Sequence, residues 1–140
     1  MIKNKKQFFK VLEQRLEDAP RVNIRRALFK SGAAVRNTAV ESIAQSPKTG
    51  RTYTRGNIVH QASAAGEPPA TDTGRLVNSI YHDVENRGRE IIGIVGAGVD
   101  YAIHLEFGTS KMAARPFLQP ALRQNAKTIT NIFKKQGLIK

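Results

Sequence analysis

Apolar residues recur along this 140-residue chain in distinct rhythms that divide it into elements. In residues 3–18, Phe8, Val11, Leu12 and Leu16 share a helical face, with lysines and glutamates between them. That spacing predicts an amphipathic helix. Pro20 ends it, because proline cannot continue a helix but suits the first turn of a new one. From about 21 to 44, Leu28, Gly32, Val35, Ala39 and Ile43 recur at spacings of 4, 3, 4 and 4. This predicts a long second helix with a narrow seam of small residues, which lets another element approach closely. A helix of that length is expected to lie across a sheet.

Between 46 and 72 the rhythm is lost. Pro47, Gly50, Gly56, Gly66, Pro68 and Pro69 punctuate a polar stretch. Arg51 to Thr54 and Ile58 to His60 form a weak hairpin signal around Arg55, Gly56 and Asn57. A loop this long inside a small domain is commonly functional or disordered, and 46–72 is expected to be mobile in the isolated chain. Asp72 or Thr73 is placed to cap a short helix through Ser79. Period-two alternation then puts Ile80, His82 and Val84 on one strand face. A turn at Asn86 to Arg89 leads into a returning strand, with Ile92 and Ile94 on one face and Ile91 and Val95 on the other. Asp100 is placed to cap one helical turn before Phe107. Leu122, Ala126, Ile129 and Phe133 predict a last helix from about 116–119 to Gln136, stopped by Gly137. The expected class is α+β: a small, mostly antiparallel sheet packed against the long helix and a C-terminal helix, in one domain over 1–140.

The stretch 101–122, YAIHLEFGTSKMAARPFLQPAL, is dense in residues that constrain a backbone or fill a core. Gly108 suits a sharp reversal with φ > 0. Glu106 lies between Leu105 and Phe107, and a buried carboxylate needs a partner. Arg115 is the nearest candidate, since a guanidinium matches a carboxylate bidentately. Two readings stay open: the pair pins the turn within one chain, or one member reaches a neighbouring subunit.

Charge changes the picture of the partners. The net charge is +12, distributed as +9 over 1–60 (13 Lys/Arg against 4 Asp/Glu), −3 over 61–100 (3 against 6) and +6 over 101–140 (7 against 1). Two basic ends flanking an acidic centre attract polyanions and also suit head-to-tail contact between copies. The loop 46–72 concentrates Lys48, Arg51, Tyr53, Arg55 and His60, a candidate surface for DNA or a partner.

Catalytic chemistry finds little footing. The absence of cysteine excludes disulfides, thiolate zinc sites and cysteine nucleophiles. His60, His82 and His104 lack metal-ligand spacing, and His104-Leu105-Glu106 lacks the cysteine pair a deaminase needs. Gly96-Ala97-Gly98 reads as a turn, and there is no phosphate-binding loop motif. No enzyme, cofactor or metal is expected. No apolar run reaches the roughly 20 residues that a membrane span needs, so a soluble, cytoplasm-made protein without membrane contact is expected.

The stretch 101–122, together with GRTYTRGNIVHQASAAGEPPATDTGRLVNSI at 50–80, resembles the neck or tail-completion proteins of long-tailed, lambda-like bacteriophages, the tail-component family. The order of elements is also similar: long helix, Pro/Gly-rich loop, T-G-x-L-x-x-S-I, hairpin, E-F-G-T, R-P-F-L-x-P-A. The resemblance covers roughly 50–124. It implies a virion protein acting at the head–tail junction, assembled in the host bacterial cytoplasm. It implies six-fold rings of the chain itself, contacts with head-closure and tail-terminator proteins, and non-specific contact with phage DNA. The family pattern falls on Tyr101, Glu106, Phe107, Gly108, Thr109, Arg115, Pro116, Phe117 and Pro120 as fold or assembly positions. The competing expectation, from charge alone, is a small basic nucleic-acid-binding protein.

Overall fold

One long helix, α1 (Arg21–Gln45), carries the fold. The computed structural model describes residues 21–71 and 73–140. The helix expected over 3–18 and the candidate cap Asp72 lie outside them. Of the predicted seam of α1, Gly32, Val35, Ala39 and Ile43 lie on its buried stripe, which also takes in Ile24, Ala27 and Ser31, while Leu28 is half-buried beside it. Ser31 donates its hydroxyl to the Ala27 carbonyl of its own helix at 2.8 Å, so no polar group on the stripe is stranded.

The stripe lies across an antiparallel hairpin, β3 (Ile80–Arg87) and β4 (Glu90–Ala97). Close approach is reciprocal. A Cβ on Gly32 of α1 would sit 3.1 Å from the His82 Cβ of β3, and one on Gly93 of β4 would sit 3.3 Å from Leu28 of α1. Each element thus offers a glycine where the other has a side chain. Arg36 extends the contact by donating from Nε to the Ile80 carbonyl at 2.9 Å. In the predicted alternation, Ile80 and Val84 are buried and Ile91, Val95 and Ala97 pack against the core. Tyr81, Ile92 and Ile94 take the opposite face. The turn is Gly88-Arg89, with Gly88 at φ 61°, the backbone that a two-residue hairpin asks of its first central residue.

The C-terminal segment departs from the single predicted helix. It forms α4 (Leu118–Gln124) and α5 (Ala126–Lys135), separated at Asn125, whose φ and ψ are −94° and 5°. The Asn125 side chain donates to the Ala121 carbonyl and to Thr38 Oγ1 of α1, both at 2.8 Å. An amide reaching back to its own helix competes with the backbone ladder, and the bond to Thr38 fixes the break against α1. The buried stripe runs through Ala121, Asn125, Ile129 and Phe133. Ala126 of the predicted seam is exposed and Leu122 only half-buried. Gly137 stops the helix as predicted, at φ 73°, with the Gly137 and Leu138 N–H groups donating to the Lys134 and Phe133 carbonyls. That pair of bonds closes the last turn.

The class is α+β as predicted, but the strands divide into two separate two-stranded sheets. The second is β1 (Thr52–Arg55) with β2 (Ile58–Gln61), where the weak hairpin signal lay. Seven of its eight residues are exposed and the eighth is half-buried. It buries no face against the first sheet. Two predicted caps are absent. Helix α2 (Arg75–Ser79) begins at Gly74 in the left-handed region, and α3 (Ala102–Phe107) begins at Tyr101 rather than Asp100, both without a side-chain cap bond. Among the described residues no helix is long and apolar enough to cross a membrane.

The glycine contact gives a direct prediction. Gly32→Leu overfills the α1–β3 contact and is expected to cost about 2–3 kcal/mol. Gly32→Ala sets a tight 3.1 Å contact against a helix-propensity gain of about 1 kcal/mol, and should stay near the parent. Urea unfolding midpoints test this, and equal losses in both variants would contradict the packing described.

Candidate functional site

The residues carrying the predicted junction converge on Glu106. It lies near the end of α3, a single helical turn, and is 8% exposed. Its partner is not Arg115. Glu106 Oε2 accepts the backbone N–H groups of Phe117 and Leu118 at 2.8 and 3.0 Å, and Oε1 accepts that of Gln119 at 2.7 Å. These donors open α4, where a helix leaves its first N–H groups without internal acceptors. The next residue, Pro120, has no N–H to satisfy. One carboxylate and one proline therefore account for the whole first turn, with the negative charge at the positive end of the helix. The predicted Glu106–Arg115 ion pair does not form because the backbone donors saturate the acid.

The residues between the two halves make this reach feasible. Gly108 ends α3 at φ 75° and ψ 177°. A Cβ there would meet the Ala114 nitrogen at 2.8 Å and the Met112 oxygen at 2.9 Å, so both the conformation and the space require glycine. Thr109 and Met112 exchange backbone bonds, Thr109 N–H to Met112 at 2.8 Å and Met112 N–H to Thr109 at 3.4 Å. The chain then returns so that the Arg115 N–H meets the Leu105 carbonyl at 2.6 Å. Phe117, 1% exposed, plugs the core beneath, while Pro116 is half-buried. Tyr101 and Phe107 remain exposed at 41% and 65%. The predicted set thus separates into an inward group that holds the turn and an outward group that meets solvent.

The long loop is better organised than its sequence suggested. Glu67 accepts the N–H groups of Thr49 and Ala64 and the Thr49 hydroxyl. Those bonds, led by the one from the Thr49 hydroxyl, hold its carboxyl below the ordinary value. Lys48 donates to the Ser42 carbonyl at 3.2 Å. Its ammonium is pushed down by burial, with Glu67 opposing. The Gly66 N–H donates to the Ala114 carbonyl at 3.0 Å, which ties the loop to the junction. Across β1 and β2, Tyr53 stacks on His60 with ring centroids 5.5 Å apart. Arg51 is exposed.

Through that tie, two groups of residues that were separate in the sequence meet at one cleft of about 390 Å³. Tyr53 and Arg55 come from the loop, Tyr101 and Arg115 from the junction. One lining residue of the cleft, Arg75, and the organiser of the loop, Glu67, escaped the sequence reading. Arg75, at the start of α2, was read only as a helix beginning. Glu67 sits beside two prolines with no periodic signal. Arg115 is half-buried, its Nε is buried without a hydrogen-bond acceptor, and its Nη1 has only the Met112 sulfur at 3.9 Å. Among the described residues no group of three or more His, Cys, Asp or Glu forms a metal-holding cluster. The chain matches no protein-family model, no curated protein and no solved structure.

Glu106→Ala leaves three N–H groups without acceptors, and is expected to cost about 3 kcal/mol at roughly 1 kcal/mol or more for each lost partner. Gly108→Val should be at least as damaging, whereas exposed Arg55→Ala should stay within about 0.5 kcal/mol. Thermal melting ranks the three, and similar losses for Arg55→Ala and Gly108→Val would contradict the account.

The Glu67 clamp predicts a pH effect. A carboxyl held below its ordinary value of 4.5 contributes stability that is present above that value and lost as pH falls through the lower folded value. The Thr49 and Ala64 amide resonances should shift together with a midpoint below 4.5, and Thr49→Val should raise that midpoint. A parent midpoint at or above 4.5 would contradict the clamp.

Proposed function

We propose that this chain is a structural virion subunit of a tailed bacteriophage, acting at the head–tail junction through self-association into a ring and ring-to-ring contacts. The observation that carries the reading is the meeting of E-F-G-T and R-P-F-L-Q-P-A at the Glu106 junction. Both lie in the stretch 101–122, one of the two stretches on which the resemblance to neck and tail-completion proteins rests. Their inward residues serve the architecture of one turn, and this favours a structural role for the motifs.

Surface character supports assembly as the mode of action. Ile58, Val59, Ile103 and Phe107 are each 59–69% exposed. Large apolar side chains grouped on exposed elements suit contact with other proteins. Segregated charge favours contacts between unlike surfaces of neighbouring copies, which close into rings when the rotation permits. On this reading the ring is six-fold and its partners are head-closure and tail-terminator proteins. Arg51 and Arg55 provide non-specific contact with passing DNA, for which phosphate attraction suffices without base readout. Lys48 is less suited, because its ammonium serves the Ser42 carbonyl.

Mass measured by sedimentation over a range of protein concentrations, with and without duplex DNA, tests the proposal. An oligomer that forms with rising protein concentration whether or not DNA is present is expected. A monomer that shifts only with DNA, and does so steeply with salt, would overturn it in favour of a basic nucleic-acid-binding protein.

A further inference from the structure

The β3–β4 sheet has two edges, and only one of them is closed. The Gly98 N–H donates to the Ser79 carbonyl at 3.0 Å, which makes those two residues a bonded pair. Bonded and non-bonded pairs alternate along an antiparallel ladder. In the observed register, Ile80, His82, Val84 and Asn86 of β3 therefore turn their backbone N–H and C=O groups outward, as do Ile91, Gly93, Val95 and Ala97 of β4. On β3 the chain itself covers this edge. Arg36 donates to the Ile80 carbonyl at 2.9 Å, the Asp83 carboxylate accepts the Val84 N–H at 2.7 Å, and Arg25 reaches the Asn86 side chain at 2.9 Å. Free edges are commonly blunted in this way, by charge, or by proline. After Glu90, β4 has neither a charge nor a proline. Among the described residues no hydrogen bond reaches the outward backbone groups of Ile91, Gly93 or Val95. The other sheet offers only strands of half that length, one of them ending in Arg55.

The sequence of β4 says what fits this edge. Laid antiparallel on a second β4 about an axis at Ile94, it places Gly93 opposite Val95, Ile91 opposite Ala97 and Ile92 opposite Gly96 of the second copy. Each of these pairs sets a large side chain against a small one, and outward backbone groups face outward backbone groups. Only Ile94 meets its own kind, and Glu90 falls opposite Gly98. Moving the axis to Val95 would bring Glu90 opposite Asp100, and like charges directly opposed are destabilising. Moving it to Gly93 would set two glycines against each other and Ile91 against Val95, which loses the alternation of large and small. The strand is thus complementary to itself in one register.

We infer that the β4 edge pairs with the β4 edge of a second copy of this chain across a two-fold axis at Ile94. The product is a four-stranded sheet in the order β3-β4-β4-β3, with both α1 helices on one face and Ile92 and Ile94 of both copies on the other. A two-stranded ribbon is marginal by itself, and additional strands with an apolar face give it independent stability. The inference goes beyond the ring reading and does not need it, because a two-fold contact uses the same patch on both copies and closes on itself.

Ile94→Lys and Ile94→Glu in the full-length chain test the axis, read as the concentration for half-association in sedimentation. Each variant alone sets like charges against each other and should raise that concentration about tenfold or more. An equimolar mixture of the two should recover most of the loss, since opposite charges then meet on the axis. Such recovery belongs to a residue that faces itself. Variants that associate as well as the parent, or a mixture no better than either variant alone, would overturn the inference. The unsubstituted chain gives a second reading that does not depend on the variants folding. The outward amides of Ile91, Gly93 and Val95 should exchange about tenfold more slowly once the protein associates, whereas those of Ile92 and Ile94 are already protected in the monomer. Outward amides that exchange equally fast at every concentration would overturn the pairing. A parent that stays monomeric overturns both this inference and the ring, while a dimer that grows no further upholds the pairing and counts against the ring.

Discussion

Three backbone N–H groups at the start of α4 converge on the Glu106 carboxylate, and much of the C-terminal half depends on that convergence. A helix beginning against a packed core has donors that water cannot reach, and leaving them bare costs about 1–3 kcal/mol each. Supplying the acceptor from α3, eleven residues earlier, does more than cap. It fixes the distance between the two helices, sets the reversal at Gly108 and seats Phe117 in the core. The Arg115 N–H bond to Leu105 closes the same turn from its other side. Through the Gly66–Ala114 bond, the long loop inherits its position from this junction as well.

The division between what the sequence disclosed and what it concealed follows from the range of each interaction. Elements with a sustained period were legible: the seam of α1, the alternation of β3, the stop at Gly137. Gly108 was legible because positive φ leaves few residues to choose from. The identity of Glu106's partner was not. Side-chain chemistry pointed to Arg115, but the winning donors were backbone N–H groups, which every residue but proline carries and no sequence pattern marks. The break at Asn125 was hidden for a related reason, since it depends on Thr38, 87 residues away. The cap positions expected at Asp72 or Thr73 and at Asp100 fall instead on Gly74 and Tyr101, so each helix begins one or two residues later than its polar residue suggested. The loop 46–72 looked formless because Glu67 organises it through backbone amides and one hydroxyl.

The candidate site shows the same limit. Tyr53 with Arg55, and Tyr101 with Arg115, were each singled out for local reasons, yet their meeting at one cleft depends on a tertiary bond that neither segment announces. Saturation of Glu106 by backbone donors is also what leaves Arg115 without its obvious partner. The fold thus pairs one satisfied acid with one half-buried guanidinium whose Nε has no acceptor. On the proposed reading, the residues that fix the junction and those that meet a neighbour are consecutive members of one motif, so folding and assembly draw on the same short stretch.

Amide hydrogen exchange at Phe117, Leu118 and Gln119, followed in dilute monomeric protein, tests this account most directly. If Glu106 holds the junction within a single chain, all three amides are protected on the scale of α1, independently of protein concentration, and all three lose protection together in Glu106→Gln. Rapid exchange at these positions in the monomer, or protection that arises only as the protein assembles, would contradict it.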